Sequence, residues 1–258
     1  MDRKEVRRPK IGRAAAARPS ALKDQPTPPA PRRSFWFYPS CGAVFLLGFA
    51  GLMLVIKNNL PAAGRALLLA LVFAGVEYNF IQPGSPNLSR EEEFAAFTDL
   101  LTFSVVPGFL LYRLAFEHWG VLGLGGLFVI IFAGVLRLSL YKVYNPYLPA
   151  RGWIGFIGVP CAVTAAFTAL LVQLFDPGNL FPVFRLGLLM AVMGLSFLTV
   201  STIRYPNPVR SPWVLSLLAL VVAAIFYGTP VRLPAIYALL LAGAVYLLLA
   251  PLGVRERR

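Results

Sequence analysis

Long apolar runs separated by short polar breaks fill the chain from Phe35 onward. A helix needs about 20 apolar residues to cross a bilayer, and about eight runs approach this length. Their predicted bounds are 35–56, 62–82, 94–115, 119–140, 154–175, 180–202, 211–228 and 231–250. The runs are continuously apolar rather than alternating, which excludes a closed β-barrel. The pattern therefore predicts an all-α, polytopic transmembrane helix bundle.

The composition supports a membrane protein. Of 258 residues, 58% are hydrophobic and 14% are charged, whereas soluble domains carry about 25% charged residues. The net charge of +13 lies mostly in the tail and loops, so membrane lipids rather than nucleic acid are the expected partners. Cys41 and Cys161 fall in apolar runs, which indicates small buried side chains rather than a disulfide or zinc site.

Residues 1–33 carry ten Lys or Arg residues among Ala, Pro and Ser, without apolar periodicity. This composition predicts a disordered, basic cytoplasmic tail. Two roles remain open, namely contact with anionic headgroups and topology setting alone. Asp2 and Glu5 argue against a transit peptide, and the first apolar run starts too late for a cleaved secretory signal.

Basic residues are concentrated in alternate loops. If the tail is inside, the outer loops hold little beyond Lys57 and Arg232. The inner loops then hold Arg90, Lys142, Arg151, Arg204 and Arg210. The positive-inside rule therefore predicts that both termini are cytoplasmic.

Two carboxylates within predicted spans are candidate site residues, because charge is expensive inside a membrane. Glu77 lies near the cytoplasmic end of the second run and Asp99 near the start of the third. A short connection makes these helices antiparallel neighbours, so both carboxylates reach the same depth. A metal site open to the cytoplasm is one interpretation. In the other interpretation, Asp99 is simply an acid at a helix start and Glu77 lies at the membrane interface. The residues alone favour this second interpretation.

Arg137 and Arg204 lie at the cytoplasmic ends of the fourth and sixth runs. Arginine in such a position can bind a phosphate or simply extend to the interface, which is commoner. The single histidine, His118, is predicted on the outer side. The chain shows no Ser/His/Asp set, no P-loop and no Cys/His metal spacing, which argues against most enzyme classes.

Four stretches occur in order between Phe94 and Pro206, namely DLLTFSVVPGFLLYRLA, AGVLRLSLYKV, GFIGVPCAVTAAF and LTVSTIRYP. They resemble D-x-x-S-F-G-x-A-P-A, R-L-A-R-F-N, F-x-G-L-P-x-P-A-A-A and M-V-S-T-x-R-Y-P of the bacterial-type phosphatidylserine synthase branch of the CDP-alcohol phosphatidyltransferase family. The resemblance implies a six-helix core over 34–206. It also implies two extra helices with a short basic C-terminus over 207–258, in the bacterial cytoplasmic membrane.

The resemblance also implies a reaction, which is metal-assisted displacement at the phosphorus of CDP-diacylglycerol. The family signature is D-x-x-D-G-x-x-A-R-x8-G-x-x-x-D-x-x-x-D. Its Asp residues hold two divalent ions, Mg²⁺ or Mn²⁺, on the pyrophosphate, and the last Asp serves as base. The family usually forms homodimers.

The family signature is only partly present. With Asp99 placed at the last Asp, an ungapped count puts Glu77 at the second Asp, whereas Ala74 and Ala95 replace the first and third. Tyr78 and Glu91, which are bulky or charged, replace the two glycines, and the uncharged Gln82 replaces the arginine. The basic residues Arg137, Lys142 and Arg204 stand where the family keeps basic residues, which predicts a pocket for an anionic lipid.

Three hypotheses follow, of which the first has the most support. The chain is a catalytically degenerate member, a pseudoenzyme without a cofactor, that binds lipid or regulates phospholipid synthesis as a homodimer or with an active homologue. Alternatively it is a divergent active transferase that uses Mg²⁺ or Mn²⁺ on Glu77, Asp99 and a glutamate from 91–93, with Asp99 catalytic. The third hypothesis is an unrelated transporter-like protein.

Overall fold

A computed structural model describes residues 37–80, 88–144, 155–175, 178, 180–206, 211–227 and 229–249. The predicted basic tail over 1–33 lies outside these residues, as does the basic C-terminus. The remaining predictions on helices fall largely within the described part of the chain.

The described residues form a helical bundle. The helices are α1 Phe37–Ile56, α2 Leu60–Phe80, α3 Leu88–Leu100, α4 Val106–Leu111, α5 Val121–Tyr144, α6 Cys161–Leu174, α7 Pro182–Val200, α8 Pro212–Tyr227 and α9 Thr229–Leu249. Two π-helical turns and a 3₁₀ turn, Leu101–Val105, Tyr112–Phe116 and Glu117–Trp119, flank α4. Because these turns continue the helical path, α3 and α4 belong to one rod that matches the third predicted run.

The prediction of an all-α polytopic membrane bundle is confirmed, and the chain is an integral membrane protein. Among the described residues, six helical stretches are long and apolar enough to cross a bilayer. The other two predicted runs form shorter helices, α6 with 14 residues and α8 with 16. Helix α6 begins at Cys161 rather than at residue 154, because the preceding Pro160 is extended, with ψ 134°.

Two short strands, which the sequence pattern did not predict, join distant parts of the chain. Strand β1 Gly155–Ile157 pairs antiparallel with β2 Arg204–Pro206, and Phe156 lies opposite Tyr205. The pair links the segment before α6 to the segment after α7. Strands of three residues are too short to show a period of two. Strand β1 falls at the start of the predicted helix 154–175, and β2 falls in the predicted loop after 180–202.

The core lies where α2, α4 and α6 meet. Leu67, Val106, Leu110 and Leu170 are almost fully buried there. Large apolar side chains point outward from α7, α8 and α9, namely Met190, Phe197, Trp213, Leu217, Leu241 and Leu248. A soluble monomer would not expose so much apolar surface, whereas a bilayer covers it.

Gly158, directly after β1, holds the turn that leads into α6. Its φ is +71°, and an added Cβ would collide with the carbonyl oxygen of Thr199. Its backbone N–H donates to the carbonyl of Ile203 at 2.8 Å. Glycine is required here because other residues are strained in the left-handed region.

Gly158→Ala is therefore expected to destabilise the protein by at least about 1–3 kcal/mol, the cost of a left-handed non-glycine residue. Thermal unfolding in detergent measures the change. Gly194→Ala on α7 is the matched control, since a Cβ there meets nothing within 4 Å, and it should be neutral or mildly stabilising. Equal unfolding temperatures for the two variants would contradict the assigned role.

Candidate functional site

The two carboxylates singled out in the sequence lie at the end of the bundle where α2 finishes and α3 begins, called here the acidic end. Glu77 on α2 is only 4% exposed, and Asp99 on α3 is partly buried. Their charges are close enough to repel each other. The two residues that the short antiparallel connection predicted as neighbours thus interact electrostatically, and α1 packs against both of their helices.

Helix α1 supplies a third group to the acidic end. The Cys41 thiol donates to the Thr98 hydroxyl oxygen, at 3.5 Å, and lies within hydrogen-bonding reach of Glu77. Sequence reasoning gave Cys41 only a packing role. Nothing in the α1 sequence shows which of its faces meets α2 and α3, so this contact had no signal in a single sequence.

Arg137 places a positive charge beside the acidic end. Its side chain on α5 is only 8% exposed, and its guanidinium lies 5.9 Å from the centroid of the Phe156 ring, a cation–π arrangement. The guanidinium attracts the Asp99 carboxylate, although no direct ion pair between them occurs among the described residues. Its Nε atom is buried and has no hydrogen-bond partner in that same part of the chain.

Two tyrosines secure the strand pair that carries Phe156. The Tyr246 hydroxyl, on α9, donates to the carbonyl of Pro206 at 2.9 Å. The Tyr205 hydroxyl donates back to the carbonyl of Leu247 at 3.4 Å, and the two rings are 5.6 Å apart. Burial raises the pKa of Tyr205, which keeps its hydroxyl protonated as a donor.

The other predicted basic residues are less completely placed. Arg204 is partly exposed in β2, directly opposite Ile157 of β1. Lys142 belongs to α5, but its side chain lies outside the described residues, as do those of Glu91 and Glu92. Of the predicted anion-binding set, Arg137 and Arg204 therefore adjoin the same strand pair.

The described side chains of the acidic end do not fit the pair of divalent ions that the family reaction implies. Mg²⁺ and Ca²⁺ take six or more oxygen ligands, and a two-ion site needs several shared carboxylates. Among the described residues, no group of three or more His, Cys, Asp or Glu side chains is arranged to hold a metal ion. Ala74 and Ala95 provide only methyl groups, and the Arg137 charge opposes an added cation.

Curated relatives are similar to the chain over most of their length. It is 30% identical to a CDP-diacylglycerol–serine O-phosphatidyltransferase of Bacillus subtilis over 168 residues, which cover 63% of this chain and 85% of the relative. The chain belongs to the CDP-alcohol phosphatidyltransferase family. Proteins of the same name from Helicobacter pylori strains 26695 and J99 are also 30% identical, over 180 residues, which cover 66% of this chain and 71% of each relative.

Membership of the family overturns the hypothesis of an unrelated transporter-like protein. The matched relatives confirm the resemblance to phosphatidylserine synthases that the four sequence stretches indicated. No protein-family model matches the chain.

The attraction between Arg137 and Asp99 can be measured with a double-mutant cycle of Arg137→Gln and Asp99→Asn. We expect a favourable coupling free energy of about 0.5–3 kcal/mol, because each charge is left uncompensated when the other is removed. Unfolding in detergent gives the free energies of unfolding of the wild type, the two single variants and the double variant.

The exposed ion pair between Arg113 and Glu117 provides the matched control. Exposed pairs contribute about 1 kcal/mol or less, and their contribution falls with salt. Zero coupling between Arg137 and Asp99 would show that the guanidinium does not compensate this carboxylate.

Proposed function

We propose that this chain is a catalytically degenerate phosphatidyltransferase homologue, which binds an anionic liponucleotide such as CDP-diacylglycerol without transferring its phosphatidyl group. It then acts as a regulatory partner in phospholipid synthesis. The observation that supports this most directly is the shortage of carboxylates around Glu77 and Asp99 in the part of the chain that the structure describes. In the ungapped count, two carboxylates and two alanines stand at the four aspartate positions of the family signature.

The charge around Arg137 supports the binding part of the proposal. An arginine that is nine-tenths buried and has a partnerless Nε retains an unused donor, and a guanidinium binds phosphate oxygens with paired hydrogen bonds. Arg204 and Lys142 are the further candidates for the pyrophosphate. If both termini are cytoplasmic, as the basic loops predict, these basic residues lie on the side of the inner leaflet.

The partner is a second copy of this chain or an active homologue, because the family implied by the resemblance usually dimerises. A degenerate subunit can bind substrate or alter the stability of an active one without carrying out chemistry. Co-purification of two differently tagged copies, and of this chain with an active homologue, distinguishes the two pairings.

A divergent active transferase is the second candidate, and one observation favours it. Asp99 occupies the position of the family's catalytic base, and Glu77 lies beside it. In that case one metal ion would have to be held with help from glutamates at 91–93.

Purified protein is expected to release no CMP from CDP-diacylglycerol and serine with Mg²⁺ or Mn²⁺, whereas the Bacillus subtilis relative serves as active control. The same protein should bind CDP-diacylglycerol. Arg137→Gln should weaken this binding at least about tenfold, as expected for loss of a charged hydrogen-bond donor, and Arg113→Gln at the opposite end should not.

CMP release that Asp99→Asn abolishes would favour the active transferase. Equal binding by wild type and Arg137→Gln would refute the assigned pocket. Phosphatidylglycerol, an anionic lipid without the nucleotide, serves as the competitor, and its failure to displace CDP-diacylglycerol would support liponucleotide recognition.

Restoring carboxylates should create a metal site. Ala74 lies one turn before Glu77 on α2, and Ala95 one turn before Asp99 on α3, so each pair shares a helix face. The unfolding temperature of the double variant Ala74→Asp/Ala95→Asp is expected to rise when Mn²⁺ is added. The unfolding temperature of the wild type should not change. Ala74→Asn/Ala95→Asn is the matched control without charge. A Mn²⁺-dependent rise in the wild type would contradict the proposed loss of the metal site.

A further inference from the structure

We propose that Tyr246 of α9 is a positioning residue for Arg137, because it fixes the strand pair whose Phe156 ring lies beside the guanidinium. The inference deepens the proposed function and rests on it. It assigns the last helix, which follows the six-helix core implied by the resemblance, a part in the anion-binding site.

The first step is the attachment of α9 to β2. Two hydrogen bonds run in opposite directions, from the Tyr246 hydroxyl to the Pro206 carbonyl at 2.9 Å and from the Tyr205 hydroxyl to the Leu247 carbonyl at 3.4 Å. The two rings also contact each other in a tilted arrangement, with their centroids 5.6 Å apart. Each of the two elements, α9 and β2, therefore contributes one tyrosine hydroxyl and one backbone carbonyl to the attachment.

The second step leads from β2 to β1. Pro206 lies opposite Gly155, and Tyr205 lies opposite Phe156, in the antiparallel register. Antiparallel strands exchange hydrogen bonds at fixed spacing. Because α9 holds β2 in place, it also sets the position of β1. A strand pair this small has little stability without outside support.

The third step leads from β1 to the charge. The Phe156 ring lies 5.9 Å from the Arg137 guanidinium, which restricts the directions in which its donors point. Asp99 attracts the same guanidinium from α3, so the charge interacts with both an aromatic ring and a carboxylate.

The opposite end of α9 is held separately, which makes the inference testable. Arg232 donates to the Gln173 side-chain oxygen at 2.7 Å and to the Gln173 carbonyl at 3.3 Å. Gln173 in turn donates to the Pro61 carbonyl at 2.7 Å. Loss of the Tyr246 hydroxyl therefore leaves α9 attached to α6 and α2.

The test measures binding of CDP-diacylglycerol to the full chain in nanodiscs. Tyr246→Phe is expected to weaken binding about fivefold, the effect of one hydrogen bond. Tyr237→Phe is the matched control, because Tyr237 lies on the same helix and is 59% exposed. Unfolding temperatures are measured in parallel, and Tyr237→Phe should match the wild type in both measurements.

A double variant separates positioning from a general loss of stability. Phe156→Leu keeps apolar bulk but removes the aromatic face beside Arg137. If Tyr246 acts through Phe156, Tyr246→Phe weakens binding no further in the Phe156→Leu background. A variant that merely loosens the bundle would weaken binding equally in both backgrounds, which would overturn the inference.

Arg137→Gln separates this inference from the proposed function. If Arg137→Gln binds CDP-diacylglycerol as the wild type does, the binding proposal itself fails. If Arg137→Gln loses binding while Tyr246→Phe and Tyr237→Phe bind equally well, the binding proposal stands and the role of Tyr246 is refuted.

Discussion

Charge compensation inside a membrane-embedded bundle is the constraint on which the acidic end depends. Glu77 and Asp99 repel each other in surroundings where an uncompensated charge costs several kcal/mol. Arg137, brought from α5, attracts Asp99, and the Cys41 thiol and Thr98 hydroxyl add polar neighbours. Four helical segments therefore meet at one point, and the strand pair, which links the segment before α6 to the segment after α7, places Phe156 beside Arg137.

The same constraint links the altered family signature to the proposed function. In the family reaction, divalent ions would neutralise both the aspartates and the substrate pyrophosphate. In the ungapped count, alanines stand at two of the four aspartate positions, and the Arg137 guanidinium attracts Asp99, one of the two carboxylates that remain. Under the proposed function, the chain keeps the groups that attract anions and has lost part of the set that holds metal ions.

Much of the fold could be predicted from the sequence, because the length of an apolar run is a direct measure of a membrane-crossing helix. The electrostatic interaction between Glu77 and Asp99 was predictable for a similar reason, since a short connection brings the end of α2 and the start of α3 to the same end of the bundle. The contacts of Cys41, Phe156 and Tyr246 were not. They depend on which helix faces meet and on a three-residue strand pair, and neither leaves a periodic signal in a single chain.

Helix α8 has a consequence for the surrounding lipid. Its 16 described residues rise about 24 Å, whereas a hydrocarbon core is about 30 Å thick, and its side chains Trp213, Leu217 and Leu220 are exposed on the surface of the protein. Hydrophobic mismatch of this size is relieved by compression of the adjacent acyl chains. The bilayer is therefore expected to be dimpled along this side of the molecule, and a thinner bilayer suits the chain better than a thick, sterol-rich one.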